Sequence, residues 1–219
     1  MKDYVFFDLD GTLTDSRPGI FESLQEVFSA FGIKKTEQEM IPFLGPSLWD
    51  SLPEYCGFSH EQCVEAVEIF RKHYNEKGIF NNRVYEGIVP LLEKLKNEKK
   101  HIVLATGKPE PQANIVLNHF DLRKYFDFVG ASTLDKTRSK KAQVIDFAIK
   151  SCGLSEKDRK RIIMVGDRDN DIKGAHENGI KVAAVLYGYG SKEEFELNRA
   201  DYICETTADL QKLLLRADL

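Results

Sequence analysis

Apolar residues fall along this chain in short unbroken runs. YVFFDL (4–9), HIVLAT (101–106), FDFVGA (126–131), RIIMVG (161–166) and VAAVLY (182–187) each read as a strand, and ADYIC (200–204) adds a shorter sixth. Runs without polar alternation suit strands covered on both faces, as in a parallel sheet. Between the runs, apolar residues recur at helical spacing, which predicts helices over 87–98, about 109–119, 139–151 and 169–178. The last is closed by Asn178-Gly179, because glycine readily takes the left-handed conformation that ends a helix. Strand and helix in alternation predict an α/β fold with a doubly wound, Rossmann-like parallel sheet.

One interval breaks the alternation. About ninety residues separate the first strand from HIVLAT and contain no strand pattern. Ile20, Phe21, Leu24, Val27, Phe28 and Phe31 lie at helical spacing, as do Cys63, Val64, Val67, Phe70 and Tyr74. Ser59 followed by Gln62 has the spacing of a capping box, in which each residue satisfies the other's free backbone N–H. Between these helices the stretch MIPFLGPSLWDSLP is broken by Pro42, Gly45, Pro46 and Pro53 and reads as a loop. The expected organisation is an α/β core of residues 1–14 and 83–219, with a small helical cap over residues 15–82.

Composition narrows the class without naming it. The 219 residues carry 31 Lys and Arg against 35 Asp and Glu, a net charge of −4. A nucleic-acid polymer is not the expected partner for that balance, because binding phosphate backbones calls for a basic excess. No apolar run approaches the roughly 20 residues that span a membrane. The start, MKDYVFFDLD, turns acidic after four apolar residues, unlike a secretion signal. The four cysteines have no metal-binding spacing and are expected as free thiols, so the expected location is the cytoplasm. The five histidines form no metal-binding pair.

The chemistry gathers at strand ends, where open parallel sheets bind their ligands. The first strand runs into Asp8 and Asp10, two carboxylates two positions apart, which a strand would point to one face. HIVLAT ends in Thr106-Gly107-Lys108, RIIMVG ends in Asp167 with Asp169 and Asp171 beyond, and Lys140-Lys141 opens a helix. Adjacent helix positions diverge by about 100°, so one of these lysines faces the site and the other faces solvent. Clustered carboxylates favour a hard cation such as Mg2+. One carboxylate can attack phosphorus, a second can move the leaving-group proton, and a hydroxyl and an ammonium can hold phosphoryl oxygens. The combination points to phosphoryl transfer.

DLDGTL (8–13), LATGK (104–108), the lysine of SKKAQVI (139–145) and VGDRDND (165–171) together resemble the four motifs of the haloacid dehalogenase-like hydrolases. DGTLTDS, GDRDNDIKGAHENGI and VLYGYGS are most similar to the phosphoglycolate phosphatase-like branch, which also contains nucleotidases. The resemblance implies Asp8 as nucleophile and metal ligand, Asp10 as general acid/base binding the metal through its carbonyl, and Asp167 as a third ligand held by Asp171. It implies Thr106, Gly107 and Lys141 at the phosphoryl group, with Gly11 and Lys108 beside the substrate. Lys108 is also readable as a solvated charge at a helix start. Gly45 and Trp49 are candidates to contact the leaving group, and Trp49 and Phe43 read either as cap core or as a lid surface. The implied activity is Mg2+-dependent hydrolysis of a small phosphomonoester, such as phosphoglycolate or a nucleoside monophosphate, by a monomer or dimer. A sugar-phosphate mutase using the same aspartyl-phosphate is the alternative.

Overall fold

The computed structural model describes residues 3–135 and 137–216. Six strands form one parallel sheet: β1 (Tyr4–Phe7), β2 (His101–Pro109), β3 (Phe128–Ser132), β4 (Ile162–Gly166), β5 (Lys181–Val185) and β6 (Tyr202–Cys204), in the order β3-β2-β1-β4-β5-β6. β1 is central. Its Phe7 pairs with Leu104 on one side and Val165 on the other, so Asp8, Thr106 and Asp167 all lie just beyond that rung.

Both faces of the sheet are covered. Phe6, Val103 and Met164 pack with Val144, Ile145 and Ala148 of the helix Lys141–Ser151 and with Ile172 and Ala175 of the helix Asp169–Glu177. The alternate positions Val5, Phe7, Leu104 and Val165 are equally inaccessible. Burying a side chain of this size contributes roughly 1.5–3 kcal/mol, which is why the runs show no polar alternation. β2 continues three residues past the apolar run. Its pairing with β3 skips between Thr106 and Pro109, an irregularity that leaves Gly107 and Lys108 out of register at the carboxyl end of the strand.

The chain divides into two compact units, Met1–Asp15 with Val84–Leu219, and Ser16–Arg83. In the second unit the helices Arg17–Ala30 and His60–Glu76 pack together, with Leu24, Val27, Ala66 and Val67 buried. Ser59 and Gln62 exchange their backbone N–H bonds at 3.3 and 2.9 Å. The unit is closed at its neck, where the Gly19 N–H donates to the Asn81 carbonyl at 3.0 Å. A Cβ on Gly19 would overlap the Gly78 carbonyl there.

The stretch expected as a loop is partly helical. A helix spans Leu48–Cys56 with Pro53 inside it. Proline removes one helical hydrogen bond, but Ser51 and Leu52 are buried and Gly57 closes the end at φ 67°. The Gly57 and Phe58 N–H groups satisfy the Pro53 and Leu52 carbonyls. Packing and the cap outweigh the proline. Phe43 is core of this unit, edge-on to Phe28 at 5.6 Å, so it presents no surface. Trp49 is half-buried beside His60, and Gly45 is exposed.

Candidate active site

Beyond Phe7 the chain leaves the strand. Leu9 accepts the Leu13 and Thr14 N–H groups, and the Gly11 N–H reaches the Thr14 carbonyl at 2.8 Å, forming a tight turn with Gly11 at φ 80°. The strand ends at Phe7, so its two-residue period no longer applies at Asp8 and Asp10, and each carboxylate has a separate partner. Asp8 turns to Lys141, whose Nζ lies 2.9 Å from its Oδ1. Asp10 is held separately by Lys108, whose Nζ donates to both its oxygens at 3.1 and 2.8 Å. Each acid has its own ammonium.

Lys141 is the hub. Its Nζ also lies 2.8 Å from Asp171 Oδ1 and donates to the Ala105 carbonyl at 3.2 Å. Lys141 is the first residue of its helix and buried, and Lys140 before it is exposed. Gly174 gives the lysine stem its passage, since a Cβ there would press on Lys141 Cγ at 2.9 Å. Thr106 is buried, and its hydroxyl accepts the Lys108 N–H at 3.1 Å, which orients the Lys108 backbone beside it. Gly107 faces open space.

Asp167 is fully buried and over-determined. Thr12 Oγ1 donates to its Oδ1 at 3.0 Å and the Tyr189 N–H to its Oδ2 at 2.9 Å. Asp171 Oδ2 accepts the Asp167 and Arg168 N–H groups, both at 3.1 Å, so this carboxylate closes the turn that carries Asp167. Asp169 points away and pairs with Lys173.

Carboxylate oxygens of Asp8, Asp167 and Asp171 lie within 4.8 Å of one another. Burial, reinforced by the Asp171 and Asp8 charges, pushes the Asp167 carboxyl well above the usual carboxylate range. Burial likewise pushes Asp171 up to about 6 against the pull of Lys141. Burial works to discharge Lys141, but Asp171 and Asp8 outweigh it and hold its pKa above the ordinary lysine value. Three carboxylates against one ammonium are short of positive charge. A divalent cation would supply it and would reverse the pKa logic of the acids. Hard oxygen donors at this spacing fit Mg2+.

Thr12, Tyr187 and Tyr189 join the site only through the fold. The Tyr187 hydroxyl donates to the Thr12 carbonyl at 3.1 Å. The signal was the glycine pair of YGYG: a Cβ on Gly188 or Gly190 would overlap Asp167.

Residues 5–185 match the family model of haloacid dehalogenase-like hydrolases. The chain belongs to this family. A 5'-nucleotidase of Pseudomonas aeruginosa is 35% identical over 211 residues, 96% of this chain and 94% of its own length. A phosphoglycolate phosphatase of the same organism is 31% identical, covering 84% of this chain and 70% of its own. The crystal structure of a predicted phosphatase from Clostridium acetobutylicum superposes with a TM-score of 0.92 at 39% identity, covering 98% of this chain and 99% of its own. Family and relatives place the chain in the phosphoglycolate phosphatase-like branch and make it a phosphoric monoester hydrolase. No helix among the described residues is long and apolar enough to cross a membrane.

Proposed function

We propose that the protein is a Mg2+-dependent phosphatase that hydrolyses a small soluble phosphomonoester through an aspartyl-phosphate on Asp8. The carrying observation is the Lys141 ammonium bonded to both Asp8 and Asp171, with Asp167 in the same cluster. Mg2+ would be held by Asp8, the Asp10 carbonyl and Asp167. It would neutralise the acids and the incoming phosphate and polarise the phosphoryl group. Asp171 has one oxygen on Lys141 and the other on two N–H groups, which suits holding the Asp167 turn better than binding metal.

In this reading Asp8 attacks phosphorus, and the bond to the leaving oxygen breaks as Asp10 gives that oxygen a proton. Asp10 then takes a proton from water, whose oxygen displaces Asp8 and releases inorganic phosphate. Lys141 fixes the Asp8 carboxylate and, with Thr106 and the Gly107 backbone, holds phosphoryl oxygens. Gly11 keeps the turn open beside Asp167. Lys108 holds Asp10 and lies beside the substrate.

Recognition of the leaving group we assign to the cap, with Gly45 and Trp49 its candidates. Residues 42–53 contain no Lys or Arg, so a second carboxylate, as in phosphoglycolate, finds no cation in that stretch. Nucleoside monophosphates are therefore placed at least level with phosphoglycolate, in keeping with the 5'-nucleotidase relative. Phosphate release from phosphoglycolate, nucleoside monophosphates, sugar phosphates and acyl phosphates, each with Mg2+ and with EDTA, tests the proposal. Turnover independent of metal, or phosphate returned to a sugar without release, would refute it; the second outcome describes a mutase.

A further inference from the structure

We infer that the segment from Tyr187 to Gly190 is a strap that positions Asp167, anchored by the Tyr187 hydroxyl, and that this strap sets the affinity of the site for Mg2+. The inference rests on the metal centre proposed above.

The strap follows β5, which ends at Val185. From there the chain passes so close to Asp167 that no side chain fits on its inner face. A Cβ on Gly188 would overlap the Asp167 Cβ and the Gly11 carbonyl, and one on Gly190 would overlap the Asp167 carbonyl. From the opposite side a Cβ on Gly11 would overlap the Asp167 carboxylate. Asp167 is thus boxed between two backbones that admit only glycine at these points.

Two donors then fix the rotation of the carboxylate. The Tyr189 N–H holds Oδ2 from the strap, and Thr12 Oγ1 holds Oδ1 from the turn after β1. The strap controls the second donor as well, because the Tyr187 hydroxyl donates to the Thr12 carbonyl at 3.1 Å. The Tyr187 ring is held in turn, edge-on to Tyr85 at 5.1 Å. One segment therefore determines both hydrogen bonds on Asp167. Each bond uses one lone pair of its oxygen and leaves the other directed by the same geometry. A carboxylate aimed before the cation arrives loses little rotational freedom on binding it, and groups behind a metal ligand typically govern about 10–100-fold in affinity.

A packing role alone would make the same contacts without touching affinity, so the test reads metal binding directly. Mg2+ is titrated calorimetrically into wild type, Tyr187→Phe and Leu210→Val, without substrate, and each metal-free protein is also melted. Leu210 is a buried residue of the helix Thr207–Leu214 and serves as a packing control. Tyr187→Phe keeps the ring and removes only the anchor. The expected result is Mg2+ binding weakened about 10-fold in Tyr187→Phe, unchanged in Leu210→Val, and phosphatase activity in Tyr187→Phe that recovers at high Mg2+. Equal affinity in wild type and Tyr187→Phe would overturn the inference while leaving the metal centre standing. So would an equal loss in Leu210→Val, since affinity would then follow stability. No Mg2+ binding to wild type would overturn the metal centre and the strap's role together.

Discussion

Replacing Lys141 by methionine separates its charge from its packing. Methionine keeps most of the buried hydrocarbon stem, so the change removes chiefly the ammonium shared by Asp8 and Asp171 at 2.9 and 2.8 Å. Asp171 is wholly buried and the Asp8 side chain is 13% exposed, so water cannot replace the lost charge. Removing one partner of a buried pair costs about 3–5 kcal/mol. In a chain of this size each kcal/mol moves Tm by about 2–4 °C, so metal-free Lys141→Met melts roughly 6–20 °C below wild type. Saturating Mg2+ narrows the gap, because a second cation then serves the same acids. Phosphate release falls at least ~100-fold, the usual loss when a donor to a developing oxyanion is removed. Lys140→Met, one exposed position earlier, stays within ~0.5 kcal/mol of wild type. Scanning calorimetry with EDTA and with Mg2+, beside a phosphate-release assay, reads all of this. Equal losses from the two substitutions, or an active Lys141→Met, would refute the placement of charge in the site.

Asp8→Asn removes the attacking carboxylate and Asp10→Asn the proton carrier, the latter worth about 10²–10⁴-fold; both nearly abolish phosphate release while leaving the fold intact, and a turnover assay of Asp8→Asn at the wild-type rate contradicts the covalent step. EDTA stops turnover and Mg2+ restores it, whereas excess Ca2+ inhibits, since it accepts more ligands at longer distances; steady-state rates across the three conditions decide. Gly11→Ala puts a methyl into the Asp167 carboxylate at φ 80° and lowers Tm with loss of activity, whereas Gly107→Ala enters open space and keeps the fold in a thermal melt. At Asp127 burial raises the carboxyl pKa, but the hydrogen bond and charge of Lys96 at 2.6 Å outweigh it and the net shift is downward. A depressed pKa stabilises the fold above the unfolded value of about 3.9, and the gain is lost as pH falls through the lower folded value. Urea midpoints of Asp127→Asn therefore trail wild type at pH 7 and converge with it near pH 2.

The strands were legible because burial on both faces leaves no polar positions in them: Phe6 and Phe7 point to opposite faces and are equally buried. Local signals did less well where tertiary contacts overrule them. Pro53 argued against a helix that Leu52 and Gly57 nonetheless hold. The turn at Gly11 is set by hydrogen bonds from the Leu13 and Thr14 N–H groups to the Leu9 carbonyl, which the alternation of a strand does not foretell. Asp8, Asp10 and Asp167 stand out as charges at the ends of apolar runs and Lys141 as a charge at a helix start, which are local features. Thr12 and Tyr187 did not, because their partners lie 155 and 175 residues away and neither residue is unusual in its own neighbourhood.

The closed neck of the helical unit bears on how quickly the sheet assembles. β1 must find β2 across the whole inserted segment, with Tyr4 pairing His101. If the insert folds first, the bond from Gly19 to Asn81 short-circuits most of that segment. The free chain between the two strands becomes about threefold shorter, and the entropy of closing it drops by about 1 kcal/mol. That is close to a fivefold gain in the rate at which the first two strands meet. A breach at Gly19, where the backbone of the helix touches that of Gly78, would therefore slow refolding of a sheet in which Gly19 takes no part.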